Sequence, residues 1–73
     1  MDIVVGGKYR HYKGNEYVVI DVATHSETEE EMVVYKALYG GEKLWVRPAF
    51  MWNEKVIVNG KEVLRFTYIG GEV

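Results

Sequence analysis

One β-hairpin is indicated by the sequence more clearly than any other element. Val56 to Val58 leads into Asn59-Gly60, the pair that most readily adopts the two positive φ angles of a tight type I′ turn. The chain then returns through a second β-rich run, Val63 to Tyr68. The fold must therefore contain paired antiparallel strands.

Four further segments have strand character. Tyr17 to Thr24 alternates apolar and polar side chains, which is typical of a half-buried strand. Met32 to Tyr39 ends at Gly40-Gly41, after which Leu44 to Arg47 resumes an extended pattern, so these two segments predict another hairpin. Lys8 to Tyr12 is also extended in character. The strand signals thus run through most of the chain.

The pattern of Tyr17 to Thr24 predicts which of its side chains point toward the core. Strict alternation places Val18, Ile20 and Val22 together on one side and Asp21 on the other. The first three residues are therefore expected to point toward the core.

Two connecting segments are predicted to turn. Pro48 has no N–H for a ladder, so it should end its strand, and Ala49 to Trp52 should form a tight turn. His25 to Glu31 contains Ser/Thr and Glu at capping-box spacing, which indicates a single helical turn. A longer helix from Glu27 to Leu38 is the alternative, because good helix formers are present. The Val33-Val34-Tyr35 run disfavours that helix.

Length and cysteine content limit the size of the core. The chain has 73 residues and no cysteine, so a thin apolar core must hold it together without disulfides. We predict a single all-β domain over residues 1–73, either a small five-stranded, strongly bent antiparallel sheet or an SH3-like barrel. A small α+β fold is the alternative. Since the interior is filled by its own side chains, any site should lie on the surface.

Charge is distributed unevenly along the chain. Residues 1–13 carry three bases and one acid, whereas residues 14–35 carry six acids and no lysine or arginine. The pI of about 5.6 argues against indiscriminate phosphate binding but leaves specific nucleic-acid binding open. No leader precedes the domain and no apolar run approaches about 20 residues, so a cytoplasmic protein that does not bind membranes is expected.

A cluster of cations and aromatic rings near the start of the chain is the first candidate for ligand binding. Arg10, His11 and Tyr12 alternate the groups that neutralise phosphates and stack on bases. The simpler interpretation is that half of the cluster belongs to the core, because neighbouring residues on a strand face opposite ways.

The alternation of side chains along Leu44 to Arg47 gives the second candidate for ligand binding. If Leu44 and Val46 point inward, their neighbours must point outward. Trp45 and Arg47 would then share an exposed face, where an aromatic ring beside a guanidinium is typical of a binding surface. In the reversed register Trp45 becomes the largest core residue and Arg47 lies along apolar surface.

Catalytic and metal chemistry find little support. His25, Ser26 and Glu27 are the residue types of a catalytic triad, but adjacent residues on an extended chain project in opposite directions. The glutamates of Glu27 to Glu31, even with His11 and His25, have no recognised metal-ligand spacing. No catalytic residue, metal site or cofactor is therefore assigned.

Several motifs in fixed order resemble one family of small bacterial domains. They are Lys8 to Gly14 (KYRHYKG), His25 to Thr28 (HSET), Leu38 to Gly40 (LYG), Leu44 to Pro48 (LWVRP) and Arg65-Phe66. The family is catalogued as domain of unknown function 1653, and the resemblance covers about residues 7–69. It implies a bacterial, stand-alone, β-rich domain with no established activity. The recurring pattern that it implies includes Arg10, His11, Tyr12, His25, Ser26, Trp45, Arg47 and Pro48.

These observations favour a non-catalytic binding module that recognises a peptide, nucleotide or nucleic-acid group. The predicted ligand-binding residues are Arg10, His11, Tyr12, His25, Trp45 and Arg47. The alternative is a protein interaction domain, including one that forms a homodimer through a strand edge or the Trp45 surface. A small hydrolase that uses His25 is a weaker hypothesis.

Overall fold

The structure of the protein, a computed structural model, describes residues 3–72 and is almost entirely β. Its elements in chain order are β1 (Gly7–His11), β2 (Glu16–Thr24), β3 (Glu31–Ala37), β4 (Leu44–Pro48), α1 (Ala49–Trp52), β5 (Lys55–Val58), β6 (Lys61–Leu64) and β7 (Phe66–Glu72).

Five of the strands form one antiparallel sheet in the order β4-β3-β2-β1-β7, and β5 pairs with β6 in a separate hairpin. The all-β prediction and the bent five-stranded sheet are confirmed. In the described part of the chain β4 and β7 are the two edges and do not pair, so the sheet is open and the SH3-like barrel is not formed.

The sheet is nevertheless strongly curved. The guanidinium carbon of Arg47 lies 5.6 Å from the ring centroid of Phe66. These residues belong to β4 and β7, the strands at opposite ends of the sheet order. Only a sheet that curls across its own core can bring those strands to side-chain contact.

The helical alternative for Glu27 to Leu38 is wrong. Val33 and Tyr35 are buried and alternate with half-buried neighbours, as on a strand with one face in the core. His25 to Glu31 forms the loop of the β2–β3 hairpin, in which the His25 N–H donates to the Glu30 carbonyl at 2.8 Å. The loop contains the predicted single helical turn, because the Glu29 N–H donates to the His25 carbonyl at 2.9 Å. Ala49 to Trp52, predicted as a tight turn, forms one turn of helix after β4 ends at Pro48.

A bulge in β2 overturns the predicted inward side of that strand. Val19 lies opposite Tyr35, but Asp21 lies opposite Val34, so Ile20 is an extra residue in the ladder. Val18 and Val22 therefore face opposite sides of the sheet, because the extra residue shifts the alternation.

The core is an aromatic cluster on the concave face of the sheet. Trp52 is fully buried and its ring stacks on Phe66, with centroids 4.0 Å apart and planes at 4°. Tyr9 and Tyr35 meet the same indole nearly perpendicularly, at 5.3 and 4.9 Å. Trp52, rather than Trp45, is the largest core residue.

Candidate functional site

The curl of the sheet gathers cations and aromatic rings at the opening between its outer strands. Phe66 is the centre of this group: Arg47 lies over its ring, and His11 meets it at 5.0 Å and 77°. We refer to the surrounding surface as the cation–aromatic face. Its members are His11, Tyr12, Tyr17, Tyr39, Arg47 and Arg65, with Phe66 buried beneath them.

Backbone pairing holds one side of the cation–aromatic face together. The Tyr12 N–H donates to the Arg65 carbonyl at 2.9 Å, just beyond the paired residues of β1 and β7. The His11 and Tyr12 rings lie 4.5 Å apart at 32°. Tyr12 is 38% exposed, and the Lys13 ammonium lies over its ring, 5.9 Å from the centroid.

Two tyrosines form the other side of the face. The hydroxyl oxygens of Tyr17 and Tyr39 are 2.9 Å apart, and their rings meet edge to face at 5.6 Å. Burial and the hydrogen bond with Tyr39 raise the pKa of Tyr17 to about 12. The Tyr17 hydroxyl therefore remains neutral at physiological pH. Tyr39 adds a second exposed ring.

The electrostatic character of the face is positive. Burial first, and then the charges of Arg65, Arg47 and Lys13, hold the pKa of His11 below its ordinary 6.5. The neutral imidazole accepts the Lys13 N–H at Nδ1, at 3.1 Å, so Nε2 carries the proton and is a donor.

The two arginines of the face have hydrogen-bonding capacity to spare. The Nε atoms of Arg47 and Arg65 are buried, and neither has an acceptor among the residues the structure describes. Arg65 reaches one carboxylate, that of Glu54, at 3.5 Å. No described carboxylate pairs with Arg47, whose position rests on its contact with the Phe66 ring.

Three of the six predicted site residues meet on this face, namely His11, Tyr12 and Arg47. Arg10 has the opposite parity on β1 and donates to Glu16 at 2.9 Å, but its side chain also lines a surface cavity with His11 and Tyr12. That bond holds the pKa of Glu16 below its usual value.

His25 lies in the β2–β3 loop, and its Nδ1 accepts backbone N–H groups of Glu27 and Thr28 at 3.1 and 3.3 Å.

Of the two registers left open for β4, the structure has the one in which Trp45 and Arg47 face the core side. Trp45 lies opposite Tyr35 and Arg47 opposite Val33, so both belong to the core side of the sheet. Leu44 and Val46 point away from the core and are 64% and 63% exposed. Because β4 is an edge strand, Trp45 still remains 47% exposed at the margin of that side.

Sequence reasoning missed Tyr17, Tyr39 and Arg65. The tyrosines lie within the predicted strands Tyr17 to Thr24 and Met32 to Tyr39, and Arg65 lies within the predicted strand Val63 to Tyr68. The available signal was the Arg65-Phe66 motif, which places a cation beside an aromatic residue. The motif points to a site only once the strand is known to be interrupted at Arg65, between the end of β6 and the start of β7.

The position of His11 predicts a measurable titration. We expect an imidazole midpoint below 6.5 by NMR, and Arg65→Gln should raise it because the variant removes the strongest of the three positive neighbours. Lys61→Gln, on β6, should leave it unchanged. Since the unfolded chain binds this proton more readily, His11 should reduce stability as pH falls through about 6.5. A midpoint at or above 6.5 would contradict the described surroundings.

The fold and the face define a small, open, all-β domain with a cationic and aromatic surface between its edge strands. The chain belongs to the family described as protein of unknown function (DUF1653), whose model matches residues 7–68. This confirms the resemblance seen in the sequence motifs.

A solved relative has the same fold. The crystal structure of a DUF1653 protein from Bordetella bronchiseptica matches with a TM-score of 0.87 and 38% identity, covering 99% of this chain and 94% of that one. No curated protein matches the chain. In residues 3–72 no helix is long and apolar enough to cross a membrane, and no three His, Asp or Glu side chains are grouped as metal ligands would be.

Proposed function

We propose that the domain is a non-catalytic binding module whose cation–aromatic face recognises a planar group carrying negative charge, as in a nucleotide or nucleic acid. The observation that carries the proposal is the Arg47 guanidinium on the Phe66 ring, with its buried Nε unpartnered in the described chain and His11 on the same ring.

The arginine geometry suits an anion. A guanidinium fixed against an aromatic ring loses little further side-chain entropy on binding, and its planar donors match the oxygens of phosphate or carboxylate. The Nε2–H of neutral His11 supplies another donor beside it.

The aromatic geometry suits a planar group. Tyr12 and Tyr39 are exposed on either side of His11 and Tyr17. A base can stack on the Tyr39 ring directly, and on the Tyr12 ring once the flexible Lys13 side chain that lies over it moves aside. Stacking is needed because the chain carries a net charge of -2, which gives little general attraction for phosphate. Recognition therefore requires the base and the anion together.

A hydrolase based on His25 has less support. Its Nδ1 is engaged by two backbone N–H groups of its own loop, which is the arrangement of a residue that stabilises a turn.

That the protein is bacterial and cytoplasmic is also a proposal. The Bordetella origin of the solved relative supports the first part, and a cysteine-free thin core suits a reducing compartment.

Calorimetric titration with adenosine 5′-monophosphate, adenosine and inorganic phosphate tests the proposal. The monophosphate should bind more tightly than either fragment. Arg47→Gln should weaken its binding about tenfold or more, since a lost charge-assisted hydrogen bond is worth roughly 1.5–3 kcal/mol.

Lys36→Gln is the matched control, because Lys36 lies on the convex side of β3 and pairs with Glu42 at 3.6 Å. It should leave the affinity unchanged, and circular dichroism should show both variants folded. Equal losses in the two variants would contradict the proposed face. If an acidic peptide binds at Arg47 and adenosine 5′-monophosphate does not, the ligand is a peptide rather than a nucleotide.

A further inference from the structure

The strand edge at β4 has few of the features that normally prevent edge pairing. Its register with β3 has no bulge, and Leu44 and Val46 are strongly exposed apolar residues. The opposite edge, β7, is interrupted by two register shifts against β1. Regular apolar edges are the ones that pair with another chain, whereas bulged edges resist it.

The backbone of β4 offers free hydrogen-bonding groups along this edge. The Ala37 N–H donates to the Lys43 carbonyl at 3.0 Å, in line with the β3–β4 register. Bonded and non-bonded pairs alternate along an antiparallel ladder, so Trp45 and Arg47 direct their backbone groups toward β3. The N–H and C=O of Leu44 and Val46 therefore point outward.

Pro48 agrees with this assignment. It has the same parity as Leu44 and Val46, so the N–H that proline lacks would have faced away from β3. Proline is tolerated on edge strands at such outward positions. Its carbonyl still points outward and can accept a hydrogen bond.

We infer that two copies of this chain associate by antiparallel pairing of their β4 edges, with the twofold axis between the two Val46 residues. In this register the two Val46 residues exchange both backbone hydrogen bonds. Each Leu44 N–H reaches the Pro48 carbonyl of the second copy. The two five-stranded sheets then become one continuous sheet.

The side chains of β4 favour a second copy as the occupant because their order is self-complementary. A twofold pairing about Val46 places valine against valine on the convex side. On the concave side it places Trp45 opposite Arg47 of the second copy, a cation–aromatic pair. Arg47, the only charged residue of β4, therefore does not face the Arg47 of the second copy.

Such a dimer is small, so it should be weak and dependent on concentration. Sedimentation velocity of the whole chain from micromolar to millimolar concentration should show a monomer–dimer equilibrium. Val46→Lys should raise the dissociation constant about tenfold or more, since two ammonium groups would meet on the axis. Ile57→Lys, an equally exposed apolar position on β5, should leave it unchanged.

A charge-swap mixture gives the sharper test. Val46→Glu should also be monomeric by itself, but an equimolar mixture of Val46→Lys and Val46→Glu should restore the dimer, because only the mixed pair joins opposite charges. A strictly monomeric wild-type protein, a Val46→Lys dimer of unchanged affinity, or a mixture that stays monomeric would each overturn the inference.

Discussion

Trp52→Ala is expected to remove most of the stability of the fold. Trp52 is fully buried, stacks on Phe66 and meets Tyr9 and Tyr35 edge to face, so truncation leaves a large cavity at the centre of the only described core. Such substitutions cost about 3–5 kcal/mol. A domain of this size has a total stability of roughly 5 kcal/mol or little more. Urea unfolding followed by circular dichroism measures the loss.

Phe50→Ala is the matched control for this prediction. Phe50 belongs to the same helical turn but is 69% exposed, so its truncation should change the free energy of unfolding by less than about 0.5 kcal/mol. Similar urea midpoints for the two variants would show that the aromatic cluster does not hold the sheet in its curved form.

Gly7→Ala is expected to destabilise the pairing of β1 with β7. A Cβ built on Gly7 would lie 2.8 Å from Cε1 of Tyr68 and 2.9 Å from the carbonyl oxygen of Val4. The tyrosine ring could turn aside, but the carbonyl belongs to the backbone and can yield only if the segment moves. Overpacking of this kind costs about 1–3 kcal/mol, which a thermal melt would detect.

Gly41→Ala provides the comparison. Gly41 has no heavy atom within 4 Å of the added carbon and does not have a positive φ, so the change should be neutral or slightly stabilising. If Gly7→Ala melts no lower than Gly41→Ala, the close approach of Tyr68 and Val4 to β1 is wrong.

Local turn chemistry explains why part of the fold could be predicted from the sequence. Asn59 and Gly60 have φ angles of 51° and 78°, as the predicted turn requires, and Gly40 at 57° serves the β3–β4 connection. By contrast, the sequence predicts one strand over Val63 to Tyr68, whereas in the structure Arg65 separates two strands of different sheets. Which sheet a segment joins depends on partners distant in sequence.

The candidate site shows the same division between local and long-range information. Alternation along β1 correctly implies that only part of the Lys8 to Tyr12 cluster can share a face, and the structure places His11 and Arg10 on opposite sides. The meeting of His11, Arg47 and Phe66 arises from the curvature of the sheet. The side-chain alternation of a single strand carries no information about that curvature, so parity alone could not choose between the two registers of β4.

The most direct test of the proposed face is an NMR titration that observes the arginine Nε–H groups in the presence of adenosine 5′-monophosphate. If the cation–aromatic face is the binding surface, the signals of Arg47 and Arg65 should shift progressively and saturate together. The backbone amide of Lys36, on the convex side of β3, should not respond. Stationary Arg47 and Arg65 signals, or an equal response from the Lys36 amide, would contradict the account.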